Sequence, residues 1–336
     1  MRELPTIDDP VPVLDLPPDQ IAELSEEVRA LAADRDAVVL AHNYQVPEVQ
    51  DVADYVGDSL GLSRKAAAAD AAVIAFCGVH FMAETASVLS PDKTVLIPDL
   101  EAGCSLSDSI TANELRNWKS RHPGAITVMY VNTSAGVKAE TDYCCTSSNA
   151  VAVVEHILRE HGSEAKILFG PDVWLGSYIE RVTGHPMEVW PGECHVHAGI
   201  PPGEIDRARS ERPDAALLIH PECRDGTRYL DGLATGDIEP GRLHMLSTGQ
   251  MLDHVRAHPD GDYIVATETG MLYPMHQAAP SAGLTPANDK AVCKYMKMIT
   301  LPKLRDSLRE MKHEVRVPAE IAERARLPIE RMVAIG

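Results

Sequence analysis

Tyr44 and Asn132 stand 88 residues apart in this chain, and the same interval separates Asp54-Tyr55 from Asp142-Tyr143, Ser59 from Ser147, and His42 from Tyr130. One offset shared by different residue types is the mark of a repeated supersecondary unit, and a repeat restricts the fold more than any single motif. A third copy follows with a shift. His220 lies 90 residues after Tyr130, but Ser247 lies 100 after Ser147, so about ten residues have entered between them. The Gly-rich stretch Asp225 to Arg242 accommodates them and reads as a long surface loop.

The copies share one order of elements. Short apolar runs at Ala37–Ala41, Ala125–Tyr130 and Ala215–Ile219 have strand length and lead into His42-Asn43-Tyr44, Tyr130-Val131-Asn132 and His220-Pro221-Glu222. A Ser/Thr/Gly turn then opens a helix at Gly57-Asp58-Ser59, Thr146-Ser147-Ser148 and Ser247-Thr248-Gly249. A second buried strand follows at Ala72–Phe76, Lys166–Phe169 and Tyr263–Ala266, then a helix, then a strand or loop carrying Cys104, Cys194 or Cys293. Strands alternating with helices make parallel sheets with both faces covered, and ligands then bind beyond the carboxyl ends of the strands. The expectation is an α/β chain of three pseudo-symmetric α/β/α domains with parallel sheets around a central site. Its divisions are a tail and helix at 1–35, repeats at 36–124 and 125–213, and a third repeat with a C-terminal helix at 214–336. In the first segment Ile21, Leu24, Val28 and Leu31 have helical spacing, and the last helix, about Ala319 to Met332, is expected to pack back as a clasp.

A net charge of −19 argues against nucleic acid or anionic lipid as a partner, since both are polyanions. It does not exclude small anionic substrates, because a local site can be positive within an acidic shell. No apolar run reaches the length of a membrane span. The acidic, Pro-rich segment Met1 to Gln20 lacks the basic-then-apolar order of a secretory signal, so a cytoplasmic location is expected. Disulfides are rare there, and the seven cysteines are read as buried thiols, metal ligands or nucleophiles. No C-x-x-C pair occurs, which weighs against a zinc ribbon or a thioredoxin-like site.

Cys104, Cys194 and Cys293 are separated by 90 and 99 residues, one to a repeat. Three thiolates meeting at one point can hold an iron–sulfur cluster and leave one iron without a protein ligand, where it acts as a Lewis acid. The bland alternative is burial as small hydrophobes, which suits Cys77 in its apolar strand but not Cys104 or Cys194 in polar loops. Cys144 and Cys145 are adjacent and ill placed to share a metal, and Cys223 reads as a packed or reactive thiol. Zinc held by three thiolates and a water is the rival, although zinc sites usually draw ligands in close pairs; His195 and His197 flank Cys194 as alternative ligands, but one of them is better suited to face a substrate.

The strand-end pairs His42/Tyr44, Tyr130/Asn132 and His220/Glu222 have i, i+2 spacing, which in extended chain puts both side chains on one side. Any one alone is readily a capping or loop residue, and only the threefold recurrence lifts the set above that. Glu222 is the sole carboxylate among the six and the best candidate general base or acid. Ser59, Ser147 and Ser247-Thr248 open helices, whose free N–H groups suit phosphate or carboxylates, although N-capping alone would explain each. No nucleotide-binding glycine motif occurs.

Taken in order, Ala41-His-Asn-Tyr-Gln-Val-Pro-Glu-Val-Gln-Asp51, Gly57-Asp-Ser-Leu60, Tyr130-Val-Asn132, Cys145-Thr-Ser-Ser-Asn149, Gly192-Glu-Cys-His-Val-His197, His220-Pro-Glu-Cys223, Ser247-Thr-Gly-Gln-Met251 and Ala291-Val-Cys-Lys-Tyr-Met296 resemble the quinolinate synthase family of NAD biosynthesis. The resemblance runs from about residue 37 to the end of the chain. It implies three pseudo-symmetric domains around a [4Fe–4S] cluster. It also implies condensation of iminoaspartate with dihydroxyacetone phosphate to quinolinate, with release of phosphate and two waters, and functional coupling to an iminoaspartate-producing enzyme. Cys104, Cys194 and Cys293 match the cluster ligands of the family. His42, Ser59, Tyr130, Asn132, Ser147, His220, Glu222 and Thr248 match its substrate-binding set, and Tyr44 and His197 match further active-site groups. His42, Tyr44, His197 and Glu222 are thereby the expected catalytic residues. Some relatives carry a C-x-x-C at the last ligand; here Cys293 stands alone, which gives no basis for a disulfide there. The rivals are another hydro-lyase with an open-iron cluster and a non-catalytic iron–sulfur carrier, which would need no proton-shuttling groups beside its cluster.

Overall fold

The computed structural model describes Asp8, Val11 and residues 15–336; residues 1–7, 9, 10 and 12–14 of the expected acidic tail lie outside the described residues. Among the described residues, twelve strands form three four-stranded sheets. The first contains β1 (Ala37–His42), β2 (Tyr55–Gly57), β3 (Val73–Cys77) and β4 (Thr94–Leu96). The second contains β5 (Ile126–Tyr130), β6 (Tyr143–Cys145), β7 (Ile167–Gly170) and β8 (Glu188–Val189). The third contains β9 (Ala216–Ile219), β10 (Leu243–Met245), β11 (Asp262–Ala266) and β12 (Gly283–Pro286). Every pairing within them is parallel, and the three strand orders are β2-β1-β3-β4, β6-β5-β7-β8 and β10-β9-β11-β12. One topology is thus used three times, as the repeat requires.

The recurrence extends to register and to pinning contacts. Leu40 pairs with Tyr55 and Phe76, and Val128, at the same offset, pairs with Tyr143 and Phe169. Asp54 accepts the Val39 N–H at 2.7 Å and Asp142 accepts the Thr127 N–H at 2.8 Å, so each carboxylate fixes the first strand beside its neighbour. A hydrogen bond to a charged group contributes about 1.5–3 kcal/mol, enough to select a register. Gln50 donates to the Asn43 and Gln45 carbonyls at 3.1 and 2.9 Å. Its counterpart 88 residues on, the fully buried Lys138, donates to the Val131 and Thr133 carbonyls. These side chains hold the two loops that leave β1 and β5 toward the centre.

In each sheet the chain leaves the first strand for one edge and the third strand for the other. The gap between them is the switch point at which α/β sheets bind ligands. The carboxyl ends of β1, β5 and β9 face a common centre.

The helix Ala319–Ala334 is a clasp between the first two units. Arg64 donates to the Val333 carbonyl, Asn149 to the Met332 and Ile335 carbonyls, and Arg331 to the Asp142 carbonyl. The expected surface loop Asp225–Arg242 is corrected. Thr227–Thr235 is a helix with Tyr229 buried, and Ile238 is buried behind it. Its glycines serve helix ends and packing: Gly236 is the left-handed C-cap at φ 83, and a Cβ on Gly232 would lie 3.0 Å from Ile238.

Candidate active site

A central cavity, about 700 Å³ with its opening to solvent included, is lined by His42, Tyr44, Ser59, Cys104, Tyr130, Asn132, Ser147, Cys194, His197, His220, Glu222, Thr248 and Cys293. The six strand-end groups do converge, but by a turn and not by continued strand. His42 Nδ1 accepts the Tyr44 N–H at 3.2 Å and His220 Nδ1 accepts the Glu222 N–H at 3.4 Å. The imidazole folds the chain back on itself, which brings residue i+2 to the same side and leaves Nε2 to carry the proton. His220 Nε2 then stands 3.2 Å from Ser147 Oγ.

The helix starts also differ in detail from the sequence reading. Ser59 follows the N-cap Asp58, and Thr248 follows the N-cap Ser247, which forms a capping box with Gln250. Ser147 stands ahead of its helix, whose N-cap is Asn149. Its hydroxyl therefore faces the cavity from a turn.

A buried hydrogen-bonded network crosses the three units. Tyr130 donates a short bond to Glu222 Oε1. Glu222 Oε2 lies 3.2 Å from His197 Nδ1, at hydrogen-bond distance but off the ideal line. His197 Nε2 meets Thr267 Oγ1 at 2.9 Å and the Tyr44 hydroxyl at 3.3 Å, and Tyr44 and Thr267 are themselves 2.6 Å apart. His197 also stacks on His220, ring centroids 4.4 Å apart and planes 19° from parallel.

Electrostatics single out Glu222 as an anion within this network. Burial opposes the Glu222 anion, but the His197 and His220 side chains and the Tyr130 hydroxyl outweigh it and hold the carboxyl at about 2. Burial pushes the Tyr130 and Tyr44 phenols well up, and the Glu222 charge adds to this. Burial, together with the positive Lys297, lowers His42 to about 3; burial and His197 lower His220 to about 3. Burial and the Glu222 charge push the Asp172 carboxyl up.

The three thiols come from the loops after β4, β8 and β12, one per unit, and none is in a disulfide. Their surroundings repeat. Nearby backbone N–H groups favour the anionic form of each, those of Ser107 and Leu106 at Cys104, those of Met296 and Tyr295 at Cys293, and that of His197 at Cys194. Burial raises Cys104 to about 12 and Cys293 to about 11, so as free thiols they are neutral, and a bound metal would take them as thiolates. Thiols from three separate units lining one cavity, beside N–H groups that favour thiolates, fit a three-cysteine iron–sulfur centre. Zinc's requirements point elsewhere in the cavity: donor atoms of Cys194, His197 and Glu222 lie within 4.8 Å of one another. His197 and Glu222 are already engaged with each other, with Tyr130 and with Thr267, so a single ion there would have to break that network.

A family model described as quinolinate synthetase A protein matches residues 26–334. The chain belongs to the quinolinate synthetase A family. It is 54% identical over 316 residues to the quinolinate synthase of Mycobacterium sp. (strain KMS), covering 94% of this chain and 92% of that one. The quinolinate synthase of Mycobacterium leprae (strain TN) is 55% identical over 312 residues, 92% of this chain and 87% of that one. That of Mycobacterium tuberculosis (strain ATCC 25177 / H37Ra) is 54% identical over 312 residues, 92% and 88% of the two chains. Such likeness over nearly the whole length makes this chain an enzyme of the quinolinate synthetase A family.

Sequence reasoning did not find Thr267, Ser105 or the buried pair Glu268–Lys297. Ser105 Oγ bonds His195 Nδ1 at 2.7 Å, joining the residues that follow two of the cysteines. Thr267 follows β11, where the other two units carry Gly78 and Pro171, so no recurrence announces it.

Proposed function

We propose that this enzyme condenses iminoaspartate with dihydroxyacetone phosphate to quinolinate, releasing phosphate and two waters, in NAD biosynthesis in the cytoplasm. The observation that carries the reading is the meeting, in one cavity, of three loop thiols with the Tyr130–Glu222–His197–Tyr44 network. Cys104, Cys194 and Cys293 would hold a [4Fe–4S] cluster, which when bound supplies an open iron as Lewis acid for departing hydroxyl groups.

The chain's own residues account for binding and proton movement. Ser59 and Thr248 sit at helix starts whose free N–H groups favour phosphate and carboxylate oxygens, and Ser147 adds a hydroxyl from its turn. Asn132 Oδ1 is buried without a protein partner and lines the cavity, an acceptor placed for an amine or hydroxyl of a substrate. Glu222 as anion takes a proton directly or through His197, whose far nitrogen faces Tyr44 and Thr267. His42 and His220, neutral and with protonated Nε2, donate hydrogen bonds without adding charge. Among the described residues no helix is long and apolar enough to cross a membrane. An iminoaspartate-producing enzyme is the partner this reaction requires.

The test is anaerobic purification with iron and sulfide analysis, then incubation with both substrates. Quinolinate and free phosphate in equal amounts support the assignment. A full complement of iron and sulfide with no quinolinate overturns it in favour of a different hydro-lyase.

A further inference from the structure

The buried pair Glu268–Lys297 takes no place in the chemistry above, yet it touches both halves of the site. Glu268 is fully buried and Lys297 nearly so, with Lys297 Nζ 2.9 Å from Glu268 Oε1. The same Oε1 accepts the Cys293 N–H at 3.0 Å, and Oε2 accepts the Gly270 N–H at 2.7 Å. Lys297 Nζ also donates to the Tyr44 carbonyl. The lysine's own N–H returns to the Cys293 carbonyl at 3.1 Å, which closes a short loop around the thiol. Two charges thus join the main chain of Cys293, in the third unit, to the main chain of Tyr44, in the first.

Two further observations separate this arrangement from an incidental ion pair. Gly270 leaves room for it: a Cβ there would lie 2.6 Å from Lys297 Nζ, 2.7 Å from Glu268 Oε2 and 3.0 Å from the Tyr44 carbonyl oxygen. The second unit also repeats the carboxylate. Asp172 lies two residues beyond β7, as Glu268 lies two beyond β11, and it accepts the Cys194 N–H at 3.3 Å. An acid after the third strand holds the cysteine loop in both units, and only in the third is it paired with a lysine that reaches the main chain of the first unit.

We propose that Glu268 and Lys297 are a positioning pair that fixes the Cys293 loop relative to Tyr44, so that the metal-binding wall and the proton-transfer wall of the cavity keep one spacing. The proposal rests on the assignment of Cys293 as a ligand and Tyr44 as an active-site group. Pairing the charges is required by their burial, since either one left alone would be uncompensated.

The test uses the full chain with two variants, the double substitution E268Q/K297M and the single substitution G270A. The double substitution removes both charges together and so avoids a lone buried ion. G270A keeps both charges and forces them apart. After iron is removed by chelation, the rate of iodoacetamide modification of Cys293 is followed by mass spectrometry, with Cys104 as the internal reference. Loss of a charge-assisted tether should raise the Cys293 rate relative to Cys104 by about ten- to a hundredfold. The iron-loaded variants should lose kcat while KM for dihydroxyacetone phosphate holds, because Ser59, Ser147 and Thr248 are untouched. Variants that melt like the parent and show an unchanged Cys293-to-Cys104 ratio overturn the proposal. If the double variant does not fold, the ratio in G270A decides alone. A parent chain that makes no quinolinate, with the variants still showing faster Cys293 modification, overturns the assigned reaction and supports the tether.

Discussion

Glu222→Gln is the sharpest test of the proposed chemistry, because the structure says what each atom of the new side chain would meet. In the native site Oε1 accepts from Tyr130, and Oε2 faces His197 Nδ1. A glutamine keeps the volume but has one acceptor and one donor. If its carbonyl keeps the Tyr130 bond, its amide group confronts His197 Nδ1 and forces that nitrogen to become the acceptor. The imidazole proton then moves to Nε2, which faces Tyr44 and Thr267, and His197 can no longer take a proton from that side. The substitution therefore removes the base and sets the wrong tautomer at once. Loss of general acid–base help costs about 10²–10⁴-fold in rate, and a wrong tautomer in a serine protease triad costs about 10⁴-fold, so a fall of about 10³–10⁴-fold in kcat is expected. The assay is quinolinate formation under anaerobic conditions at saturating substrates, with iron content and dicarboxylate binding measured on the same preparation. Both should match the parent. Near-parental turnover with a full iron complement would refute the reasoning and leave Glu222 a positioning group.

Three further outcomes follow from the geometry. Serine at Cys104, Cys194 or Cys293 should abolish the visible iron–sulfur chromophore, whereas serine at the fully buried Cys77 or Cys144 should leave it; a chromophore that survives loss of Cys194 contradicts the ligand set. His42 and His220 titrate at about 3 when folded against 6.5 when free, so between those values the unfolded chain binds protons that the folded chain does not. Their contribution is complete above pH 6.5 and is lost as the pH falls through that window, on the order of several kcal/mol for the pair, and Glu222 adds loss of the same sign lower down. The urea midpoint of cluster-free protein should drop between about pH 7.5 and about pH 5, less steeply in His220→Asn, and a flat profile would count against burial of neutral imidazoles. Lys138→Met leaves the Val131 and Thr133 carbonyls unpaired at about 1–3 kcal/mol each, so thermal stability should fall and KM should rise through Tyr130 and Asn132; an unchanged melt would show that these carbonyls find other partners.

Much of this protein is legible in its sequence. The 88-residue offset exposed the repeat because strands, their pinning aspartates and their loop residues are all local, and evolution of a copied unit leaves local features in step. Parallel sheets followed from the alternation, and a central site followed from where strand ends must point. The thiols were legible through their one-per-repeat spacing, although the spacing alone left zinc open. What the sequence could not supply was contact between units. Tyr44 and Thr267 are 223 residues apart, Tyr130 and Glu222 are 92 apart, and Lys297 reaches Tyr44 across 253. Such pairs obey no periodicity, and Thr267 occupies a position where the other units have Gly78 and Pro171, so the repeat hides it. The glycines of Asp225–Arg242 misled for a related reason: Gly232 packs on Ile238 and Gly236 ends the helix, choices that only a neighbouring core could reveal. The sequence by itself determined the units and the atoms each presents. The packing of three units about one axis decided which of those atoms meet, because hydrogen bonds and shared charge in a buried cavity depend on distances that no single unit contains.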